Sequence, residues 1–521
     1  MSDESMLSSF VGVRIHRNWD CEAVYDYDNN VRYTYGQMSQ RSNTLAAFLM
    51  DELGLSKGDR IAFCSVNSVA CLDAFGACMR SGMILTTYNH MLRAKELEVM
   101  IRKETPRVLF YSARFDATID ELKASGLDLI YIVLDDATCE NAQYYYEDIM
   151  KYEAQRKVLQ TDLSYEDTLM LLHTGGTTGA PKAAMLSYRA IFYNTVCSTI
   201  TGNLSHKDCH LVYLPFYHTG GWNAVTLGLL LAGGRIIISG GFHPTTALTI
   251  IREERPTVGF AVEVIYKAMA DHPDWEKTDI STYRWLMNGG APISLETMSR
   301  YWERGVKLFN GLGMTEIGPN NIMPAVNEKS IEELSPKWNS VGVPMFFNNI
   351  RIVDEEGRDV AVGEQGELIW RGNLCFSGYW EDEESTAETI RDGWVHSGDM
   401  GYVDEDGYYF LSGRKKLMYI SGGENIFPIE IEQEIQSHPD VEAVCVIGVL
   451  DDKWGETGKA LIVRKPGTDI TKEDIRAYLS ARIAKIKIPT YVQFIDVIPR
   501  NSVGKVDLNT TREMFGFPGD E

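Results

Sequence analysis

Short apolar runs bounded by turn residues alternate along this chain with stretches of helical spacing. The runs at 61–64, 108–111, 129–134, 169–172, 211–214, 235–238 and 308–310 are rich in β-branched and aromatic residues and read as strands. Between 46 and 53, and again between 245 and 253, apolar positions recur at three and four residues, as one face of a helix requires. Strands alternating with helices predict an α/β protein of layered sheets. From about Val341 the texture changes to strand-turn-strand units, with turns at Glu355-Glu356-Gly357 and Asp404-Glu405-Asp406-Gly407. These predict a β-rich subdomain over 341–413, closing a large N-terminal domain of residues 1–413. A helix near 428–437, strands at 443–449 and 460–463, a helix at 471–484 and a strand at 491–495 then predict a small α+β C-terminal domain, residues 414–521. The acidic run 381–384 reads as a solvated turn.

At 521 residues, roughly three folding units are expected, taking ~150 residues for each. Fifty basic against 73 acidic side chains leave a net charge of −23, a field that repels phosphate backbones and anionic lipid. No nucleic-acid partner is expected, and an anionic substrate must be received by a local cluster of donors. The longest greasy stretch, 225–231, runs into Gly233, Gly234 and Arg235 and falls far short of the ~20 residues of a membrane span, so no integral membrane segment is expected. Neither end carries a recognisable targeting signal, which predicts a cytoplasmic protein. The nine cysteines are odd in number and scattered, without a C-x-x-C pair, and read as free thiols rather than disulfide or metal ligands.

The densest chemistry lies in His173-Thr174-Gly175-Gly176-Thr177-Thr178-Gly179-Ala180-Pro181-Lys182, directly after an apolar strand. Glycines free the backbone to turn its N–H groups toward an anion, threonine hydroxyls add donors, and the lysine supplies a point charge. The run is a phosphate cradle but not a Walker A loop, because Lys182 follows Ala-Pro and no Ser or Thr comes after it.

This loop resembles the signature of the AMP-forming adenylating enzymes, the superfamily of acyl-CoA synthetases, peptide-synthetase adenylation domains and firefly luciferase. Further blocks follow in that family's order: Pro215-Phe-Tyr-His218, Asn288-Gly-Gly-Ala-Pro292, Asn310-Gly-Leu-Gly-Met-Thr-Glu316, Trp394-Val-His-Ser-Gly-Asp399, Gly413-Arg-Lys-Lys416, Ser421-Gly-Gly-Glu424 and Asn501-Ser-Val-Gly-Lys505. The resemblance implies an ATP-dependent carboxylic acid:CoA ligase that forms acyl-CoA, AMP and pyrophosphate through an acyl-adenylate, with Mg²⁺ and coenzyme A. It also implies a mobile C-terminal lid.

Position by position, the resemblance assigns ATP/AMP contacts to Thr174, Gly175, Gly176, Thr177, Thr178, Gly179, Lys182, Gly290, Ala291, Pro292, Asn310, Gly311, Leu312, Gly313, Met314, Thr315, Asp399, Arg414 and Lys505. Glu316, with Thr177, would hold the Mg²⁺. A hard cation takes carboxylate oxygen and shares its other sites with phosphate and water. Lys505 and Thr315 would stabilise charge on the α-phosphate, and His218 would stand where the acid arrives. Asp399 is an acceptor-only group suited to two ribose hydroxyls. Lys416 matches the hinge, Ser421, Gly422, Gly423, Glu424 and Trp454 the coenzyme A side. The acyl pocket would draw on His218, Trp222, Asn223, Gly290 and Gly311, with Val225, Thr226 and Asn320 nearby.

Four positions depart from the family pattern. Gly175 and Ala183 are small changes. Leu312 stands where a tyrosine usually stacks on adenine, and Leu417 replaces an aspartate beyond the hinge. No aspartate occurs in Phe216-Tyr217-His218-Thr219, which disfavours an α-amino acid; the expected acid is fatty or aryl. Loading of a carrier protein, luciferase-like oxidation, a non-enzymatic adenylate-binding role and a homodimer stay open. His16-Arg-Asn-Trp-Asp20 fits a short acyltransferase pattern, but it lacks a second histidine.

Overall fold

The computed structural model describes residues 12–135, 139–160, 162–174, 181–421, 424–500 and 506–519. Two seven-stranded sheets form its larger part. One runs in the order Tyr144–Tyr145, Ile130–Val133, Val108–Tyr111, Arg60–Cys64, Ile84–Thr87, Thr168–Thr174, Lys182–Ser187, parallel except for its last strand. The other runs Leu308–Asn310, Trp285–Asn288, Val258–Ala261, Cys209–Val212, Arg235–Ile238, Glu22–Asp26, Val31–Thr34 and again ends in an antiparallel hairpin. Parallel strands are covered on both faces, which explains their unbroken apolar runs: Leu169, Met170, Leu171 and Leu172 are all 0% exposed.

Helices fill the space between. Tyr35–Asp51 starts at Thr34, whose side chain and that of Gln37 form a reciprocal capping box, so the helix begins eleven residues before the apolar spacing shows it. Pro244–Glu254 begins on a proline that donates no N–H where none is needed. One core joins both sheets, running from Phe63, Leu85 and Leu172 through Trp222 to Val212 and Ile236.

The predicted strand at 211–214 is displaced to Cys209–Val212. Beyond Val212 the chain leaves the sheet, and Leu214 O accepts from Asn67 Nδ2 at 2.9 Å. The acidic run at 381–384 is not a free turn. Asp382 caps the helix Glu383–Thr389, its carboxylate accepting from Ser385 N at 3.0 Å, and Glu383 and Glu384 sit in that helix's first turn, where negative charge is favoured.

A five-stranded antiparallel sheet, Asn349–Val353, Gly366–Arg371, Trp394–Val403, Ile390–Arg391 and Tyr409–Arg414, follows. After the short 3₁₀ turn Lys415–Leu417 comes a last sheet of Glu424–Ile426, Tyr419–Ser421, Gly455–Arg464, Val441–Asp451 and Tyr491–Phe494, with its own core of Tyr419, Ile431, Ile462, Leu479 and Val492. Ion pairs Lys267–Glu442 at 3.1 Å and Lys465–Glu296 at 3.4 Å link this sheet's unit to the larger part. Among the described residues no helix is long and apolar enough to cross a membrane. All nine cysteines are unbridged, and burial pushes the thiols of Cys64, Cys197 and Cys209 up to about 12.

Candidate active site

In open α/β sheets ligands collect beyond the carboxyl ends of the strands, where loops diverge and backbone donors are exposed. Both large sheets deliver the sequence blocks there. Thr174 is the last residue of its strand and lies opposite Lys182 in register, so residues 175–181 form the connection between them. Gly175, Gly176, Thr177, Thr178 and Gly179 lie outside the described residues.

The base of this connection is braced by groups the sequence blocks did not include. His173 Nδ1 lies 3.1 Å from Thr87 O, and Nε2 lies 2.6 Å from a carboxylate oxygen of buried Glu104. Thr86 Oγ1 and Tyr88 OH donate to the other Glu104 oxygen at 2.8 and 3.1 Å. The His173 ring cannot turn without losing one of its partners, so the first residue of the cradle is fixed in direction. Glu104 sits 69 positions from His173 in an ordinary helical pattern, with nothing in its neighbourhood to mark it.

On the second sheet, Asn288 and Asn310 end neighbouring strands in register. Asn288 Nδ2 donates to Asn310 Oδ1 at 2.9 Å, which also accepts from Ile293 N at 3.2 Å. The Asn310 side chain thereby ties the two loops together, while Gly290, Ala291 and Pro292 stand exposed. Gly290 needs its positive φ of 79°. A Cβ on Gly313 would run into the Pro319 carbonyl, so only glycine lets residues 313 and 319 approach and fold the Thr315–Ile317 turn back on itself.

That turn buries Thr315 and Glu316, 9% and 6% exposed. Glu316 Oε1 accepts from Tyr379 OH at 2.8 Å, and its Oε2 takes no hydrogen bond from a described residue. A single carboxylate with one oxygen available fits a hard cation that draws its other ligands from phosphate and water. Among the described residues no cluster of three or more His, Cys, Asp or Glu could hold a metal by itself.

Asp399 and Arg414 face each other across a strand pair, joined at 2.6 Å between Arg414 Nε and Asp399 Oδ1. The carboxylate is buried and the guanidinium half-exposed, so Arg414 holds Asp399 in position from the rim. Leu312 exchanges backbone hydrogen bonds with Ile322 at 2.9 and 3.1 Å and leans against the core, which leaves no aromatic face at that position. Leu312→Tyr is therefore expected to tighten ATP binding by about 0.5–1.5 kcal/mol, measured by titration calorimetry. An unchanged dissociation constant would mean that another side chain already covers the base.

His218 lies in a tight loop, its ring 4.7 Å from that of Tyr217. Gly220–Ala224 then forms a π-helical turn, a rare geometry that recurs at functional sites. Trp222 within it is 0% exposed, stacked on Phe216 at 4.2 Å and Phe75 at 5.5 Å, so its ring belongs to the core. Asn223 is 1% exposed; its Nδ2 donates to Thr219 Oγ1 at 3.1 Å, and its backbone oxygen accepts from Asn194 and Asn320 at 2.8 and 2.6 Å.

A second residue outside the sequence blocks is Phe260, at the end of strand Val258–Ala261. Its ring lies against both Gly220 and Gly289: a Cβ on either would come within 3.1 and 2.8 Å of ring carbons. An aromatic four residues after Pro256 gave no pattern to read.

Ser421 and Glu424 face each other at the end of a hairpin, with Ser421 in register opposite Gly455. Trp454, 42% exposed, therefore stands next to them, and its indole lies 4.6 Å from the Lys453 ammonium. Gly422 and Gly423 lie outside the described residues, as does Lys505. Lys416 sits exposed in the 3₁₀ turn between the last two sheets.

Known proteins resemble this chain in sequence and in fold. Residues 13–380 match the family described as AMP-binding enzyme, and residues 430–505 match its C-terminal domain. A feruloyl-CoA synthase of Amycolatopsis sp is 36% identical, the match covering 93% of this chain and 94% of that protein. An indoleacetate–CoA ligase of Aromatoleum aromaticum is 32% identical over 92% and 93%. The solved structure of ATP-bound MatB from Rhodopseudomonas palustris superposes with a TM-score of 0.87 at 27% identity, covering 97% of this chain and 98% of that one.

Proposed function

The chain belongs to the AMP-binding enzyme family as an ATP-dependent acyl-CoA ligase, and from that premise we propose that its acid is an aryl or aryl-alkanoic carboxylate. The observation that carries this reading is the half-buried Phe260 ring, packed so closely on Gly220 and Gly289 that a Cβ on either would meet it. The ring borders the loops that carry Gly220 and Gly289, and an aromatic surface at that place suits a planar acid better than a flexible chain. The relatives named for feruloyl and indoleacetate substrates support the same class.

In the proposed reaction the acid enters beside His218 and meets ATP held by Thr174, Lys182 and the 310–316 loop. A carboxylate resists attack by a thiol because oxide is a poor leaving group; transfer to AMP supplies a good one. Charge gathers on the phosphate oxygens as the carboxylate attacks the α-phosphorus and the α–β bond breaks to release pyrophosphate, and preorganised donors such as Thr315 and Lys505 stabilise it. Bound Mg²⁺, held through Glu316 and Thr177, would neutralise part of the polyphosphate charge. Asp399 and Arg414 hold the ribose, and the lid bearing Ser421, Glu424 and Trp454 then presents coenzyme A to the adenylate. The set of reduced, unbridged thiols suits work in the cytosol.

The test is a pyrophosphate-release screen over aryl, aryl-alkanoic and alkyl acids with ATP, Mg²⁺ and coenzyme A, followed by detection of the free thioester. A preference for alkyl acids would overturn the aryl assignment; adenylate without thioester would redirect the second step to a carrier protein. Phe260→Ala is expected to reduce the preference for aryl over alkyl acids by about two- to tenfold, the worth of one aromatic pair, read as the ratio of kcat/KM values.

A further inference from the structure

We propose that Tyr379 is a positioning residue for adenylation, its hydroxyl aiming Glu316 at the divalent cation while its ring seats the Lys182 ammonium. The inference rests on the reading of Glu316 as metal ligand and Lys182 as phosphate ligand. Two contacts converge on this side chain, and the backbone around it makes a third link. Tyr379 OH donates to Glu316 Oε1 at 2.8 Å. Lys182 Nζ stands 5.3 Å from the centroid of the same ring, inside cation–π range. The backbone around Tyr379 is stitched to the strand that carries Lys182: Ser377 N donates to Met185 O at 3.0 Å, Met185 N to Gly378 O at 2.9 Å, and Trp380 N to Ala183 O at 2.8 Å.

A fourth contact ties the segment to the metal side, since Phe376 N donates to Glu316 O at 2.9 Å. Residues 376–380 therefore hold in one rigid piece two groups that lie 134 positions apart in the chain. Tyr379 is 7% exposed, and its phenol O–H is the donor in this pair because an ionised carboxylate can only accept. The donor takes one carboxylate oxygen and leaves the other for the cation. This is the arrangement by which a hydrogen bond behind a ligand fixes the direction of its lone pairs. Asp382, three residues on, adds a charge to the same corner: burial works against its ionisation, but hydrogen bonds from Ser385 and the charges of Lys103 and Lys182 hold its carboxyl below the usual range.

The two roles separate in two variants. In Tyr379→Phe the ring stays and the hydroxyl goes; ATP affinity measured by calorimetry in EDTA should match the parent, while the Mg²⁺ concentration that half-saturates the gain in ATP affinity should rise by roughly ten- to a hundredfold, the worth of a hydrogen bond to a charged group. In Tyr379→Leu the ring goes as well, and the metal-free ATP affinity should also weaken by about two- to fivefold. Thermal midpoints of both variants within a few degrees of the parent would exclude simple unfolding. A Mg²⁺ dependence altered by Glu316→Gln but untouched by Tyr379→Phe would overturn the proposal alone. A dependence untouched by either would overturn the metal assignment of Glu316 and the proposal with it.

Discussion

Lys505→Ala is expected to slow acyl-adenylate formation by ~10²–10⁴-fold, the usual loss when one preorganised donor of the transition state is removed. Thioester formation from a supplied acyl-adenylate should continue near the parent rate. The asymmetry follows from where charge develops. In the first half-reaction the phosphate oxygens gain negative charge, and in a protein of net charge −23 that charge needs a local cation. In the second half-reaction the attacked carbon belongs to the acyl group, and the AMP that leaves is, in the proposed reaction, held by Asp399, Arg414 and the 310–316 loop. Lys505 itself lies outside the described residues, but the chain on either side is pinned. Arg500 and Val506 form an antiparallel bridge, and Asp507 N donates to Pro499 O at 2.9 Å. Replacing the lysine should therefore remove a charge and leave these flanking bonds in place. Rates of pyrophosphate release and of thioester formation, measured separately, decide it: equal losses in both would mean that Lys505 does not leave the site between the steps.

Lys416→Pro is expected to give one turnover of pyrophosphate release and retained acyl-adenylate, with almost no acyl-CoA. Lys416 lies in the Lys415–Leu417 turn, two residues after Arg414, whose guanidinium is fixed to Asp399, and three before Tyr419, where the last sheet begins. Any rotation of that sheet relative to the rest must pass through these few dihedrals. The ion pairs that oppose rotation are weak. Lys267–Glu442 and Lys465–Glu296 are both exposed, and such pairs are worth about 0–1 kcal/mol each. Proline fixes φ near −65°, which a 3₁₀ turn tolerates, and so locks the orientation while every ligand contact stays chemically intact. The locked state should be the adenylation-competent one, because the cleft then still admits ATP and the acid. Coenzyme A thioester produced near the parent rate would move the pivot elsewhere, first to Leu417.

The sequence alone determined the α/β class, the strands at 61–64, 108–111 and 235–238, and the reaction type, and it is the source of the proposed cradle around Thr174 and Lys182. These are local properties: β-branched runs are legible because a strand buried on both faces must be apolar throughout, and a phosphate cradle because glycines, hydroxyls and a lysine must lie close along the chain. Asp399 and Arg414, the proposed ribose ligands, are brought side by side by one hairpin, which is likewise a local arrangement.

What the tertiary structure decided is everything made by distant segments. Trp222 carries an aromatic beside the candidate acyl site, yet stacking on Phe75 and Phe216 assigns it to the core. Phe260, Glu104 and Tyr379 carry no motif of their own. Each gains its place from a partner far along the chain: Gly289 for Phe260, His173 for Glu104, Glu316 and Lys182 for Tyr379. A residue's chemistry is written in its side chain, but the direction in which that chemistry is aimed depends on which strand ends the fold brings together, and periodicity along one segment holds no record of the neighbour it will meet.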